Sequence, residues 1–351
     1  MTSQASGTRV EIRGDDFWIN GEPTYQGREW RGQRIEGLLF NSRMVQATFD
    51  DLNPDTRHLW AYPDSGEWDS ERNVREFVQM VPDYRRHGLL AATVNFQGGH
   101  PRGYRGLQPW INTAFTAFGE LRPAYLDRMR RVLDALDARG MVAIVGLYYF
   151  GQDERLYDEA AVRRGVENAT GWLLDGGWRN VIVEVNNECN VRRYEHEILQ
   201  PHRVHELIEQ VRGTTRDGRR LLVGTSYGGR AIPEARVLGV SDLALVHGNG
   251  VTDPDFIGEM VRQTRERMGG ALLPVVFNED DHYDFDRPAN NLLVATAHHA
   301  SWGYYDPGEG AGGRAAVGDY VEGYQNVPTN WGINTERKRA FFSLVKEITR
   351  A

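Results

Sequence analysis

The chain has 351 residues, of which 40% are hydrophobic and 26% are charged, a composition typical of a globular protein with a large core. Its formal net charge of -8 disfavours a nucleic-acid partner, because binding to a phosphate backbone depends on clustered Lys and Arg. An acidic chain of this kind suits a neutral substrate.

The first predicted element is a β-hairpin over Phe17–Gly27, with its turn at Asn20-Gly21. A helix is predicted to begin at Ser70, to carry apolar side chains at a 3.6-residue spacing, and to end at Gly88. Apolar strands then alternate with amphipathic helices. The predicted strands are Leu89–Phe96, Met141–Tyr148, Val181–Val185, Arg220–Thr225, Asp242–His247, Leu273–Phe277 and Ser301–Tyr304. The predicted helices are Pro123–Arg139, Asp158–Asp175, Glu197–Arg212, Pro233–Leu238, Asp255–Met268, Pro288–Ala300 and a last helix that begins at Glu336.

Counted from Tyr25, this pattern contains eight strands. Strands separated by helices indicate right-handed βαβ crossovers and a parallel sheet, and eight such strands close into a barrel. The predicted fold class is therefore α/β, a single (β/α)8 TIM barrel with a short N-terminal β-hairpin and long loops on its C-terminal face. A doubly wound open sheet is the alternative. Because no linker, repeat or shift in charge marks a second domain, residues 1–351 are predicted to form one domain.

Three long irregular stretches follow predicted strands: Arg28–Asp69, Gln97–Leu121 and Tyr305–Asn334. In a barrel they lie on the C-terminal face, where active sites form. Their aromatic residues are expected to wall a cleft for a flat ligand such as a sugar. These residues are Trp30, Trp60, Trp68, Trp110, Tyr320, Tyr324 and Trp331.

Cysteine content and apolar runs limit the cellular context. The single cysteine, Cys189, cannot form an intrachain disulfide or a cysteine-based zinc site. No run of about 18 apolar residues occurs, so no membrane partner is expected. The first residues lack a basic segment followed by an apolar stretch, which predicts a cytoplasmic protein, or a secreted one if a signal peptide was trimmed.

Two glutamates stand where apolar strands end. Glu188 follows the predicted fourth strand in the run Val-Ile-Val-Glu-Val-Asn-Asn-Glu-Cys at 181–189, and Glu279 ends the seventh in Leu-Pro-Val-Val-Phe-Asn-Glu at 273–279. A single glutamate at a strand end is more often a solvated loop acid, but two in the same register favour catalysis. Glycoside hydrolysis needs two such carboxyl groups, about 5–5.5 Å apart for retention of configuration and about 6.5–9.5 Å apart for inversion.

These motifs resemble glycoside hydrolase clan A, whose members carry Asn-Glu after the fourth strand and Glu after the seventh. The segment Phe17–Gly27 is also similar to their usual entry into the first strand, and Glu184 to a buried glutamate that cellulase-like members share. The resemblance is to a divergent, family 5-like retaining glycosidase. It implies that Glu188 is the general acid/base, Glu279 the nucleophile, and Asn187 the residue that binds the sugar 2-hydroxyl.

Further substrate contacts follow from the same resemblance. It suggests His247, which ends the sixth strand, near the nucleophile, and Trp302, on the eighth strand, as the floor of the first sugar subsite. Asn95 and Tyr148, near the ends of the second and third strands, complete the predicted substrate-binding set.

The chain departs from the clan in two places. The second strand lacks the arginine that steadies the nucleophile in many members; Arg28 or Arg31 are candidates to replace it. Cys189 follows the acid/base where proline or an apolar residue is commoner, and a packed side chain is the favoured interpretation.

The predicted activity is therefore cleavage of an O-glycosidic bond in a short oligosaccharide or glycoside, without a cofactor or a metal. Burial and the negative neighbour are expected to raise the pKa of Glu188. One alternative is a carbohydrate-binding barrel without activity. Another is a metal-dependent barrel hydrolase. The acidic run Glu279–His282, with Asp284 and Asp286 beyond it, is a candidate metal site, but solvated loop acids are the favoured interpretation. The sequence does not specify an oligomeric state.

Overall fold

The computed structural model describes residues 7–101, 108–308, 320 and 322–351. Its strands are β1 (Val10–Arg13), β2 (Asp16–Ile19), β3 (Glu22–Pro23), β4 (Glu29–Trp30), β5 (Gln33–Arg34), β6 (Asn41–Arg43), β7 (Ala91–Asn95), β8 (Val142–Tyr148), β9 (Val181–Asn186), β10 (Leu222–Gly224), β11 (Ser226–Tyr227), β12 (Ala244–His247), β13 (Val275–Glu279) and β14 (Gly303–Tyr304). Its α-helices are α1 (Pro54–Arg57), α2 (Ser70–Arg86), α3 (Pro123–Asp137), α4 (Glu159–Asp175), α5 (Val204–Gly213), α6 (Ala235–Leu238), α7 (Pro254–Arg267), α8 (Asn291–Ala297) and α9 (Glu336–Thr349). None of these helices combines the length and hydrophobicity that crossing a bilayer requires.

The strands from β6 onwards form a parallel barrel in chain order. One ladder runs β10-β9-β8-β7-β6-β14 and a second runs β11-β12-β13, with β10 and β11 as two halves of the fifth barrel strand. Single bridges from Val276 to Ser301 and from Asp280 to Tyr304 join β13 to the last strand. Because β14 pairs with β6, the last strand lies beside the first. This confirms the TIM barrel over the doubly wound open sheet, although the ladder is interrupted at these two junctions.

The first barrel strand lies at Asn41–Arg43 and not at Tyr25, where the count began. Tyr25 and Gly27 have φ of 48° and 66°, so the chain turns where a strand was predicted. The buried apolar run Leu38–Phe40 leads into β6 instead. The total of eight barrel strands holds, but the residue at the tip of the first one is Arg43.

Two predicted helices are shorter than expected. The segment Glu197–Arg212 splits into a 3-10 turn at Glu197–Leu199 and α5 from Val204, with Pro201 between them. A proline lacks the backbone N–H that a helix interior requires, which favours a break at this point. Helix α8 begins at Asn291, after Asn290 caps it by accepting from the amide of Leu293.

An apolar plug fills the N-terminal half of the barrel, and a polar layer lies above it. The hairpin formed by β1 and β2 contributes Val10 and Phe17 to the plug. The barrel strands and the residues that lead into them contribute Leu39, Leu90, Ala91, Val142, Ile144, Ile182, Leu243, Leu245 and Val276. Two residues beyond the plug residues Leu39, Ala91, Ile182 and Val276, the chain carries buried polar residues: Asn41, Thr93, Glu184 and Asn278. The interior of the barrel therefore changes from apolar to polar towards its mouth.

Most of the aromatic residues predicted to wall a cleft pack into the interior of the long loops. Five of them are buried: Trp60, Trp68, Trp110, Tyr324 and Trp331. Trp60 and Trp68 both contact the ring of Phe49, and long loops commonly form satellite clusters of this kind. Trp30 lies elsewhere, where its Nε1 donates to Glu347 on α9 at 3.1 Å. These side chains stabilise the loops rather than lining an open groove.

Candidate active site

Glu188 stands two residues after β9 in a left-handed backbone conformation, with φ of 49°. Such a conformation is costly for a residue other than glycine and persists only where neighbours impose it. Strand β11 supplies the constraint, because the Glu188 amide donates to Ser226 Oγ at 2.8 Å and the Cys189 amide donates to the Ser226 carbonyl at 2.9 Å. Gly228 leaves the space, since a Cβ there would lie 3.2 Å from the Glu188 carboxyl. The backbone strain therefore fixes where this carboxyl group points.

Glu279 is the last residue of β13, and its side chain is only 4% exposed. Arg43, at the tip of β6, places its Nε 2.7 Å from Glu279 Oε2. From the other side, Asn249 donates through Nδ2 to Oε1 at 2.7 Å. Each carboxylate oxygen is therefore contacted by a different residue, Oε2 by Arg43 of β6 and Oε1 by Asn249 of the loop that follows β12.

His247 lies between the two glutamates. Its Nδ1 is 3.0 Å from Glu188 Oε1 and 3.6 Å from Glu279 Oε2. A register shift after Val246 brings His247 opposite Glu279 in the ladder. One carboxylate oxygen of each glutamate and a ring nitrogen of His247 all lie within 4.8 Å of one another. This spacing is short of the roughly 6.5–9.5 Å that an intervening water molecule needs.

The charges of this cluster change its ionisation. Burial alone would lower the pKa of His247, but Glu279 and Glu188 outweigh it and raise that pKa. Burial alone would raise the pKa of Glu188, but the hydrogen bond and charge of His247 lower it below its usual value. Burial raises the pKa of Glu279 in spite of Arg43 and His247. The rise in the pKa of Glu188 that the sequence predicted is therefore absent from the free site, because His247 forms an ion pair with Glu188.

Asn187 directly follows β9, and Asn95 is the last residue of β7. Asn187 is 2% exposed, and no described residue hydrogen-bonds to its Oδ1. Its backbone is fixed on both sides, because the amide donates to the Tyr148 carbonyl at 3.0 Å and the carbonyl accepts from the Tyr194 hydroxyl. Asn95 lies inside the barrel against Gly146, and a Cβ added to Gly146 would lie 2.4 Å from Asn95 Oδ1. The side-chain amide of Asn95 likewise has no hydrogen-bond partner in the described ranges.

Tyr148 and Trp302 are not brought to the carboxylates. The Tyr148 hydroxyl donates to the Val162 carbonyl of α4 at 2.6 Å, so the side chain points towards the helix layer. The Trp302 ring packs beside Phe341 of α9, and its Nε1 donates to Asp280 Oδ2 at 2.9 Å. Side chains alternate along a strand, and Tyr148, at the end of β8, and Trp302, just before β14, both occupy outward positions.

Tyr149 and His100, which were missed in the sequence, lie near the two carboxylates. Tyr149 is buried, and its hydroxyl lies 3.2 Å from Nδ1 of His100. Burial and the negative charges of Glu279 and Glu188 raise the pKa of Tyr149 against the opposing effect of Arg43. The pKa of His100 falls to about 4, because burial and the charge of Arg193 both disfavour a second proton. The tandem tyrosines 148–149 gave no sign of which one faces inward.

Arg28 and Arg31 do not replace the missing arginine. Arg28 donates to the backbone carbonyls of Ile348 and Glu347, and Arg31 lies 3.9 Å from the Glu347 carboxylate, all at the end of α9. Arg43, at the tip of β6, is the arginine that lies against Glu279, and the apolar run Leu38–Phe40 before it was the sequence signal for a strand here. Burial alone would lower the pKa of Arg43, but Glu279 and Glu184 raise it, so the guanidinium stays charged.

Cys189 is a packed side chain, as interpreted from the sequence. It is fully buried within the main hydrophobic core, and burial raises the pKa of its thiol. A thiol that stays protonated is a poor nucleophile. The residue therefore supports the turn at Glu188 by packing.

Comparison with known proteins finds no match to the sequence among family models or curated proteins. Solved structures do match. A family 5 mannosidase mutant from Rhizomucor miehei aligns over 98% of both chains, with a TM-score of 0.54 and 14% identity. This chain therefore has the fold of the family 5 glycoside hydrolases.

Two further structures support this assignment of the fold. An endo-1,4-beta-mannanase from Rhizomucor miehei aligns over 84% of this chain and 89% of its own, with a TM-score of 0.53 and 10% identity. A structure described as a glycoside hydrolase aligns over 93% of this chain and 72% of its own, with a TM-score of 0.55 and 12% identity. A shared fold does not by itself establish a shared activity.

Proposed function

We propose that this protein is a retaining glycoside hydrolase that cleaves an O-glycosidic bond in a short oligosaccharide or glycoside. The observation that carries the proposal is the distance of at most 4.8 Å between one oxygen of Glu188 and one of Glu279. Such a gap suits direct attack by a carboxylate, while an inverting enzyme needs room for water. The fold shared with family 5 glycoside hydrolases supports it.

In the first step, a carboxylate oxygen of Glu279 attacks the anomeric carbon and forms an ester bond. The glycosidic C–O bond breaks, its electron pair leaves with the aglycone oxygen, and Glu188 gives that oxygen a proton. In the second step Glu188 takes a proton from water, whose oxygen attacks the same carbon and displaces Glu279. Both steps invert the configuration, so the product retains the original anomer.

His247 supplies the proton that Glu188 needs at the start. Its raised pKa favours the charged imidazole, and Nδ1 lies 3.0 Å from Glu188 Oε1. Transfer across this hydrogen bond gives neutral His247 and the acid form of Glu188, which is the form that protonates a leaving group. The ion pair in the free site and the protonated Glu188 of the reaction thus differ only in which residue carries the proton.

The site also offers polar atoms for sugar hydroxyls. Arg43 Nη1, Asn187 Oδ1, His247 Nε2 and Asn249 Oδ1 are buried, and none has a hydrogen-bond partner in the part of the chain that is described. Unsatisfied buried donors and acceptors are costly, and a hydroxylated ligand satisfies both kinds. This mixture fits a neutral carbohydrate better than an apolar substrate.

Azide rescue tests the two roles separately. Glu279→Ala and Glu188→Ala are assayed on a nitrophenyl and dinitrophenyl glycoside series, with Glu266→Ala on the exposed face of α7 as a control. Azide is expected to restore turnover in Glu279→Ala with an inverted glycosyl azide, and in Glu188→Ala with a retained one. Full activity of either variant contradicts the assignment, as does an inverted sugar product from the wild-type protein.

Two controls address the alternatives. Sugar binding by calorimetry without turnover by the wild-type protein on any tested glycoside supports a non-catalytic carbohydrate-binding barrel. Loss of turnover on dialysis against EDTA supports a metal-dependent hydrolase. A single catalytic domain over residues 1–351 and a cytoplasmic location stay predictions.

A further inference from the structure

Asn249 contacts the proposed nucleophile directly, yet neither the sequence motifs nor the resemblance pointed to it. Its Nδ2 lies 2.7 Å from Glu279 Oε1, on the loop that follows β12. We propose that Asn249 is a positioning residue that holds Glu279 in its ionised, attacking orientation. This inference rests on the proposed function and adds to it a second anchor for the nucleophile, independent of Arg43.

The loop is built to keep this amide in place. The Gly248 amide donates to the Glu279 carbonyl at 2.9 Å, and the Val251 amide donates to the Gly248 carbonyl at 3.0 Å. A Cβ on Gly248 would lie 2.0 Å from Asp280 Oδ2, so only glycine lets the loop approach the end of β13 this closely. Asn249 is therefore pressed against Glu279 by backbone contacts that do not involve its own side chain.

The two anchors act on different oxygens. Arg43 reaches Oε2 from β6, and Asn249 reaches Oε1 from the loop after β12, so the plane of the carboxylate is fixed from both sides. A neutral amide donor stabilises the charged carboxylate, and this hydrogen bond lowers the pKa of Glu279 against the effect of burial. Without Asn249, the carboxylate keeps its charge partner but gains freedom to rotate.

The side-chain oxygen of Asn249 distinguishes this residue from an asparagine with a purely structural role. Asn249 Oδ1 is withdrawn from water and has no hydrogen-bond partner among the described residues. Buried side-chain acceptors are rarely left unsatisfied, and the exceptions concentrate where a ligand or a reaction completes them. A hydroxyl of the bound sugar is the donor that this position fits.

Asn249→Ala and Asn249→Asp are compared with wild type on the aryl glycoside that the wild-type protein turns over best. Loss of a hydrogen bond to a charged group is expected to lower kcat/KM about 10- to 100-fold. The acidic limb of the pH profile of kcat/KM is expected to move to higher pH, because Glu279 loses a donor to its charged form. Asn249→Asp keeps the shape but not the donor, and at neutral pH it is expected to lose at least as much activity.

Asn168→Ala is the matched control, because Asn168 also donates one hydrogen bond, to the Gly119 carbonyl at 2.9 Å, on the outside of the barrel. Unchanged kcat/KM and pH profile in both Asn249 variants, within about twofold, overturn the inference while the proposed function stands. If Asn249→Ala fails to fold, the isosteric Asn249→Asp carries the test alone. Absence of wild-type turnover on every glycoside is a failure of the proposed function instead.

Discussion

Arg43 and Glu279 form a buried ion pair, with Nε of the guanidinium 2.7 Å from Oε2 of the carboxylate and both side chains at most 4% exposed. Removing one partner leaves an uncompensated charge, which costs about 3–5 kcal/mol in buried pairs. We expect Arg43→Ala to lower the free energy of unfolding by this amount and to reduce kcat/KM by about 100-fold or more. Urea denaturation and turnover of an aryl glycoside measure the two effects.

Arg43→Lys separates charge from geometry in the same pair. Lysine keeps a positive charge but lacks the planar, forked set of donors. It is expected to recover part of the stability and little of the activity. Equal stability and activity of Arg43→Ala and wild type would show that the ion pair has no role in either.

Gly228 gives a test of the space around Glu188. An added Cβ would lie 3.2 Å from the Glu188 carboxyl, so Gly228→Ala is expected to displace that group. Catalytic groups displaced by about 1 Å lose activity by up to about 100-fold, while stability changes little. Gly213→Ala is the control, because nothing lies within 4 Å of its added Cβ. Similar kcat/KM in the two variants contradicts the positioning of Glu188 by strand β11.

Tyr148 and Tyr149 are adjacent in the sequence but are expected to behave in opposite ways. Tyr148→Phe removes the hydrogen bond to the Val162 carbonyl and should cost about 1 kcal/mol of stability with activity unchanged. Tyr149→Phe removes the hydroxyl that contacts His100 near the carboxylates and should lower kcat/KM instead. Thermal denaturation and an aryl glycoside assay on both variants check this; a larger loss of activity in Tyr148→Phe contradicts the placement.

His282 makes stability depend on pH in a defined range. Its Nδ1 lies 3.0 Å from Asp280 Oδ1, and the hydrogen bonds to Asp280 and Asp281 raise its pKa to about 10. Because the ordinary value is about 6.5, the stabilisation is complete below that pH and is lost as the pH rises through about 10.

We therefore expect His282→Asn to cost about 1 kcal/mol near pH 6, since the group is partly exposed, and less at pH 10. Urea denaturation of both proteins at pH 6, 8 and 10 measures the difference. A difference that grows with pH would contradict the assignment of the ion pair.

The sequence predicted the barrel because its strands and helices are strongly periodic, and it predicted Glu188 and Glu279 because each follows an apolar strand. It did not predict which side of a strand a terminal residue faces. At Tyr148 and Trp302 the aromatic side chain points to the helix layer, and only the register of the neighbouring strands determines this. Arg43 was missed for a different reason, because β6 has only three residues and no alternation to read.

The sequence also did not predict contacts between segments that are distant along the chain. Asn249 approaches Glu279 because the glycine before it allows a close backbone approach to β13. Likewise, the lowered pKa of Glu188 depends on His247, 59 residues along the chain. Composition and spacing specify which residues end a strand, but distances between those residues arise from the closure of the barrel.

The packing of loop aromatics into their own cluster has an evolutionary consequence. Trp60, Trp68 and Trp110 are held by one another and by Phe49, whereas the two glutamates are held by strand tips and by short turns. An insertion or exchange in the loops can therefore reshape the entrance while the carboxylates keep their spacing. If the proposed function holds, a lineage with this architecture can change the sugar that it accepts while its two carboxylates stay in place.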